Sequence, residues 1–145
     1  MRGQTDETLL IGAHYDGHDI SQGAMDDATG TVLILELARI LAPLAGQFKR
    51  TVRLMAFDAE ELGVLGSQKW VDAHQAELGN LALMINLDSA AGPVATHGFL
   101  TSGLKDTEGV LKSYAQDFGY PLAFKEHVVT ASDNFPFFML GIPAI

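Results

Sequence analysis

Thr8-Leu-Leu-Ile-Gly-Ala-His14-Tyr-Asp16, followed by Gly23-Ala-Met-Asp26-Asp27-Ala-Thr-Gly30 and the apolar stretch to Leu44, decides the fold. Thr8 to Ala13 is a short apolar run bounded by charge and glycine, the pattern of a buried strand, and His14 stands at its exit. Tyr15 to Met25 is rich in Gly, Asp and Ser and has no hydrophobic period, which suits a surface loop that carries a site. Asp26 and Asp27 then offer capping side chains for a helix running through about Ala42. Its Leu33, Leu37, Ile40, Leu41 and Leu44 fall on one stripe, and Ile34 and Leu35 widen that stripe, which predicts a well-buried helix. Strand, polar loop and helix in succession are the opening unit of an α/β layer architecture.

The unit recurs. Thr51 to Phe57 reads as a second strand that delivers Glu60 and Glu61 into the next loop, and a helix follows from about Ser67 to His74. Leu81 to Leu87 reads as a third strand with Asp88 at its end, and Ser89 to Pro93 lets the chain turn sharply. Asp106 is placed to cap a helix with Val110, Leu111, Tyr114, Ala115 and Phe118 on one face, closed by Gly119. His127 to Thr130 reads as a further strand, and Phe135 to Leu140 as a short helix ended by Gly141. Gly141-Ile-Pro-Ala-Ile145 resembles the start of a buried strand, so a fragment of a longer protein is expected.

Composition narrows the function. At 145 residues the chain suits one domain, which buries roughly 68–70% of its unfolded surface. No apolar stretch approaches the ~20 residues that span a bilayer, so no membrane partner is expected. A net charge of −9, from 9 basic against 18 acidic residues, argues against nucleic acid and suits a bound divalent cation. With no cysteine, any metal must be held by imidazole and carboxylate. The N-terminus has no apolar segment of the signal-peptide kind.

Four residues of metal-ligating type, His14, Asp26, Glu61 and Asp88, each follow closely on an apolar run, where an α/β sheet presents its chemistry. Two divalent ions roughly 3.5–4 Å apart need a bridging carboxylate. Asp26 is the natural bridge, because a carboxylate has two oxygens and the following helix has a positive end. His14 and Asp88 would complete one ion's shell and Glu61 would serve the other. Adjacent side chains on a loop diverge, so Glu60 is free to act as general base. Asp16 is placed to orient the His14 imidazole. Asp27 reads as a helix cap, Asp58 as a bystander, and His18, His74, His97 and His127 as surface or structural groups. Asp133 and Asn134 divide between substrate contact and turn formation, while Trp70, Phe135, Phe137 and Phe138 read as core.

Taken in order, His14-Tyr-Asp16, Gly23 to Gly30, Glu60-Glu61 and Asn86-Leu-Asp88 resemble the motifs of the M28 zinc aminopeptidase-like exopeptidases, from about Leu9 to Ile145. The resemblance implies a three-layer α/β/α sandwich on a mixed, mostly parallel sheet, with residues 1–145 forming one catalytic domain that is incomplete at both ends. It also implies a pair of zinc ions in the full-length parent, a peptide substrate and a secreted or periplasmic parent. The ligands suit zinc and tolerate manganese or cobalt. Aminopeptidases and carboxypeptidases both occur in the family.

The chain departs from the family pattern in two places. It has Ser132-Asp133-Asn134-Phe-Pro136-Phe137 where the family often has Ser-Asp-His-x-Pro-Phe, and the family's last zinc ligand, a His, lies beyond the Gly-Ile-Pro strand. The isolated chain is therefore expected to hold one ion well, the second poorly, and to have little or no peptidase activity. Two other readings stand beside this one: a glutaminyl cyclase-like acyltransferase with a single zinc, and a non-catalytic binding or scaffold relative. The Asp26-Asp27-Ala-Thr-Gly30 string is closer to the dinuclear peptidases, and the intact ligands tell against a scaffold.

Overall fold

The computed structural model describes residues 1–92, 97–102, 104–119 and 121–145. Three strands, β1 (Thr8–His14), β2 (Thr51–Phe57) and β3 (Leu81–Asn86), form a sheet in the order β2-β1-β3 with both pairings parallel. Helix α1 (Ala28–Leu41) joins β1 to β2, and α2 (Leu65–Ala73) joins β2 to β3. Beyond β3 come β4 (Gly98–Leu100), α3 (Lys105–Asp117), β5 (Ala123–Lys125) and α4 (Phe135–Met139). The short strands β4 and β5 pair in parallel as a separate two-stranded sheet.

β1 is central, which explains why it reads as a continuous apolar run rather than an alternation: both of its faces are covered. Leu10 faces a core made with Phe57, Val71, Leu81, Met84, Phe137, Ile142 and Ala144, contributed by the sheet, α2, α4 and the C-terminal segment. A side chain at Gly12 would press on the Phe57 ring, so the strand is tight on this face. Trp70 and Phe137 join that core with ring centroids 5.7 Å apart, as their apolar character predicts. The opposite face carries α1, whose Ile34 is buried.

Several expectations are corrected. α1 begins after Asp27, whose carboxylate accepts the Gly30 N–H at 3.0 Å, but it is not well buried: Val32, Leu35 and Ile40 are exposed, Leu37 and Leu41 are half-buried, and only Gly30 and Ile34 are fully buried. The reason is geometric, since a helix apolar around most of its circumference can turn only one side to a three-stranded sheet. α3 begins after Leu104 rather than at a capping Asp106, which lies with Glu108 in the first turn and complements the helix dipole there. The apolar stripe of α3 is exposed at Val110, Tyr114 and Phe118. Residues 127–130 are not a strand; the pairing strands are the three-residue β4 and β5, too short to show a period. The expected last strand is a single parallel bridge, Met84 with Ala144, bonded through Met84 N–H to Pro143 O and Asn86 N–H to Ile145 O. Of the turn expected over Ser89 to Pro93, Pro93 lies outside the described residues, and Ser89 has a left-handed φ of 49°.

Because the three strands are parallel, their carboxyl ends share one edge. His14 ends β1, Glu60 and Glu61 follow the end of β2, and Asp88 follows the end of β3. Asp26 precedes α1, whose first turn meets the same edge: Thr31 donates its hydroxyl to the His14 carbonyl at 2.8 Å.

Candidate metal centre

His14 is almost completely buried, and its two ring nitrogens have different surroundings. Nδ1 lies 3.1 Å from the Asp16 carbonyl oxygen, an acceptor only, so Nδ1 carries the proton of the neutral ring. Nε2 then presents a lone pair. It is buried, makes no hydrogen bond, and faces Asp26 Oδ1 at 3.0 Å, with Glu60 Oε2 at 3.9 Å and Asp88 Oδ1 at 4.0 Å. A lone pair set against carboxylate oxygens is repulsive unless a cation, either a proton or a metal, sits among them. Ligand atoms of His14, Asp26 and Asp88 all lie within 4.8 Å of one another, close enough for one ion.

The donor set fits a divalent cation of zinc's kind, one imidazole and two carboxylates, with the imidazole oriented through its other nitrogen. Among the described residues no ion pair brings Lys or Arg to this group: Arg39, Arg50, Arg53 and Lys112 pair with Glu36, Glu7, Glu77 and Glu108. The surplus of negative charge shows in the titration of the groups. Burial lowers the His14 pKa, but the fields of Glu60, Asp27, Asp88 and Asp16 outweigh it and leave the imidazole above its ordinary value.

Hydrogen bonds fix the carboxylates of Asp88 and Asp16. Asp26 stands half-exposed at the end of the loop, joined to Asp27 by a cis peptide bond. Asp88 Oδ2 accepts the Ser132 hydroxyl at 3.0 Å, and the Ser132 oxygen accepts the Asn86 side-chain N–H at 2.8 Å, which fixes the carboxylate and leaves Oδ1 toward His14. Asp16 acts at two levels. Its carbonyl orients His14, while its carboxylate accepts the Glu60 N–H at 3.1 Å and the Glu61 N–H at 3.2 Å, pinning the turn after β2. Through that turn the Glu60 side chain reaches the His14 ring, whereas the Glu61 side chain is not part of the His14–Asp26–Asp88 group.

Burial raises the Glu60 carboxyl to about 7; His14 opposes the shift, and Asp88, Asp133 and Glu61 add to it. A carboxyl poised there exchanges protons readily near neutral pH. Asp27, 1% exposed, is raised to about 6 chiefly by burial, against the pull of the Gly30 and Ser89 backbone N–H groups. Asp133, 0% exposed, is likewise raised to about 6 by burial, against Ser67 and His14.

Sequence reasoning quoted Asn86 and Ser132 within motifs but gave neither a role, and it did not foresee the full burial of Asp133. The available signal was the Ser132-Asp133-Asn134 run just before the Pro-Phe helix, three polar residues that are all buried here. Of the remaining histidines, His74 stacks on Trp70 at 4.4 Å and binds its carbonyl, and His18 is exposed in the loop after β1. Beside Asp88 a cavity of about 490 Å³ is lined by Leu33, Phe99, Leu122, Val129 and Ile145, with His97 and Asn134 at its polar portions.

The model of peptidase family M28 matches residues 1–145. The chain belongs to peptidase family M28. Among curated relatives of this M28 chain, "Leucine aminopeptidase 1" of Grosmannia clavigera is 34% identical over 146 residues, covering 93% of this chain and 35% of that protein. "Carboxypeptidase Q" of Bos taurus is 35% identical over 102 residues, 70% of this chain and 20% of that protein. This chain thus spans about a third or less of the curated relatives it matches. Among solved structures, an aminopeptidase from Aneurinibacillus sp. strain AM-1 superposes with a TM-score of 0.78 at 28% identity, over 97% of this chain and 34% of that one. A glutaminyl cyclase from an Acidobacteriales bacterium superposes with a TM-score of 0.86 at 18% identity, over 99% of this chain and 54% of that one, and so shares the fold. M28 peptidases are in general zinc-dependent, and among the described residues His14, Asp26 and Asp88 form a group that could hold an ion.

Proposed function

We propose that the protein is a metal-dependent exopeptidase that hydrolyses a terminal peptide bond, with His14, Asp26 and Asp88 holding one zinc ion and Asp26 reaching toward a second ion that Glu61 serves. The observation that supports this best is the buried Nε2 of His14, without a hydrogen bond and turned toward three carboxylates. When bound, zinc supplies Lewis acidity toward a carbonyl and acidifies water. The chain's own residues then divide the work. Glu60, whose carboxylate lies 3.9 Å from the His14 ring, takes the proton of the attacking water and returns it to the leaving amine nitrogen. Asp16 keeps Glu60 in reach by holding the turn through two backbone N–H groups. The apolar cavity beside Asp88 suits the side chain of the terminal residue.

A second reading, a single-ion acyltransferase of the glutaminyl cyclase kind, draws on the fact that the three-residue group suits one ion and leaves the Glu61 side chain outside it. Calorimetric titration with zinc at pH 7.5 separates the two. Two equivalents bound by the full-length protein support the dinuclear peptidase, and one supports the cyclase. No binding that is sensitive to His14→Ala would refute both.

A further inference from the structure

We infer that the first turn of α1 is a spacer that sets the separation of Asp26 from His14 and Asp88, with Asp27, Gly30 and Thr31 as positioning residues; this rests on the metal-site reading above. Three contacts carry the inference, two to the segment that bears Asp88 and one to the end of β1. Gly30 lies against the end of β3: a Cβ there would collide with the Leu87 carbonyl oxygen and with the Asp27 carboxylate. The helix can approach the residue before Asp88 only because this position has no side chain. Asp27 Oδ1 accepts two N–H groups, Gly30 at 3.0 Å and Ser89 at 3.0 Å, so a single buried oxygen ties the turn to the residue after Asp88. Thr31 donates its hydroxyl to the carbonyl of His14 at 2.8 Å.

His14, Asp26 and Asp88 are therefore each gripped at their own or an adjacent residue by the same helical turn. Asp26 directly precedes Asp27, Asp88 sits between Leu87 and Ser89, and His14 is held through its carbonyl. A plain helix cap requires only the Gly30 contact. The bond to Ser89, 62 residues away in sequence, adds nothing to capping and fixes the distance between two ligand-bearing segments. The outcome of the three contacts is the close set of His14 Nε2, Asp26 Oδ1 and Asp88 Oδ1.

The test is cobalt(II) titration of the chain, followed by visible absorption, which reports affinity and ligand geometry together, with circular dichroism to establish folding. Removing a partner that orients a ligand costs roughly 10–100-fold in metal affinity, so Asp27→Ala and Gly30→Ala should each lose about that much and alter the absorption bands, while Asp27→Asn, which keeps an acceptor oxygen, should stay within about threefold of the unaltered chain. A role in helix capping alone would lower the melting temperature of Asp27→Ala and leave the affinity and bands of its folded fraction unchanged, and that result overturns the spacer. If Gly30→Ala does not fold, Asp27→Ala, Asp27→Asn and Thr31→Val decide the matter by the same readouts. Failure of the unaltered chain to bind cobalt removes the metal reading and the spacer with it. Equal binding by the unaltered chain and the variants removes the spacer alone.

Discussion

The metal-free protein should be more stable in mild acid than in mild alkali, and Glu60 should account for much of the difference. A carboxyl raised on folding binds its proton more tightly in the native than in the unfolded state, so stability falls as pH rises from the unfolded pKa through the folded one. Glu60 moves from an ordinary 4.5 to about 7, which sets the window at pH 4.5 to 7. At 1.36 kcal/mol per unit, its linkage costs about 2–3 kcal/mol between pH 5 and pH 8, and Asp27 and Asp133 add about 1 kcal/mol each in the same direction. His14 acts alike: its raised pKa contributes stability that is present below 6.5 and lost as pH rises through the folded value. For a domain of this size, the Glu60 contribution alone is roughly 5–10 °C of melting temperature. The assay is thermal unfolding in a chelator across that range, with Glu60→Gln alongside. The variant should flatten the profile by about the Glu60 share, and zinc should restore stability at pH 8 in the unaltered protein. A Glu60→Gln profile that parallels the unaltered one, or a metal-free protein as stable at pH 8 as at pH 5, would refute the reasoning.

Three further outcomes are expected. In a preparation of the protein that hydrolyses an aminoacyl anilide, Glu60→Gln should lower kcat by roughly 10²–10⁴-fold with zinc affinity kept, and a loss of zinc in its place would mark Glu60 as a ligand. Ser132→Ala removes the hydroxyl that fixes Asp88, so zinc affinity measured by competition with a chromophoric chelator should fall by roughly 10-fold or more; an unchanged affinity would show that Asp88 needs no such support. Phe137→Ala, at the centre of the core against Phe57 and Trp70, should cost about 3–5 kcal/mol in urea unfolding, and a cost below about 1 kcal/mol would contradict the packing described.

The parallel core of the fold was legible because β1 is buried on both faces and β2 and β3, which flank it, are buried or half-buried along most of their length. Thr51–Phe57 matches its apolar run end for end, and β1 and β3 differ from theirs by one residue, since dense burial leaves a dense hydrophobic signal. β4 and β5 were not legible: three residues each, paired with one another, they carry no period and lie among polar neighbours. α1 and α3 were recognised as helices but the burial of α1 was overread, because an apolar stripe records what a face can bury and says nothing of whether a neighbour covers it. At the site, the residue types and their positions at strand exits were visible in the sequence, as was the capping by Asp27. The tertiary links were not. Asn86 to Ser132 to Asp88, and Asp27 to Ser89, join segments tens of residues apart, and no local pattern announces such bonds. The double duty of Asp16 was hidden for the same reason: its carboxylate bonds run to backbone N–H groups 44 and 45 residues away.

The most direct test of the metal centre is anomalous scattering at the zinc edge from crystals of the protein grown with zinc. A peak in contact with His14 Nε2 and with the carboxylates of Asp26 and Asp88 is the predicted result. Zinc bound elsewhere, for example at His18 in the loop after β1, with the His14 nitrogen left facing the carboxylates alone, would contradict it.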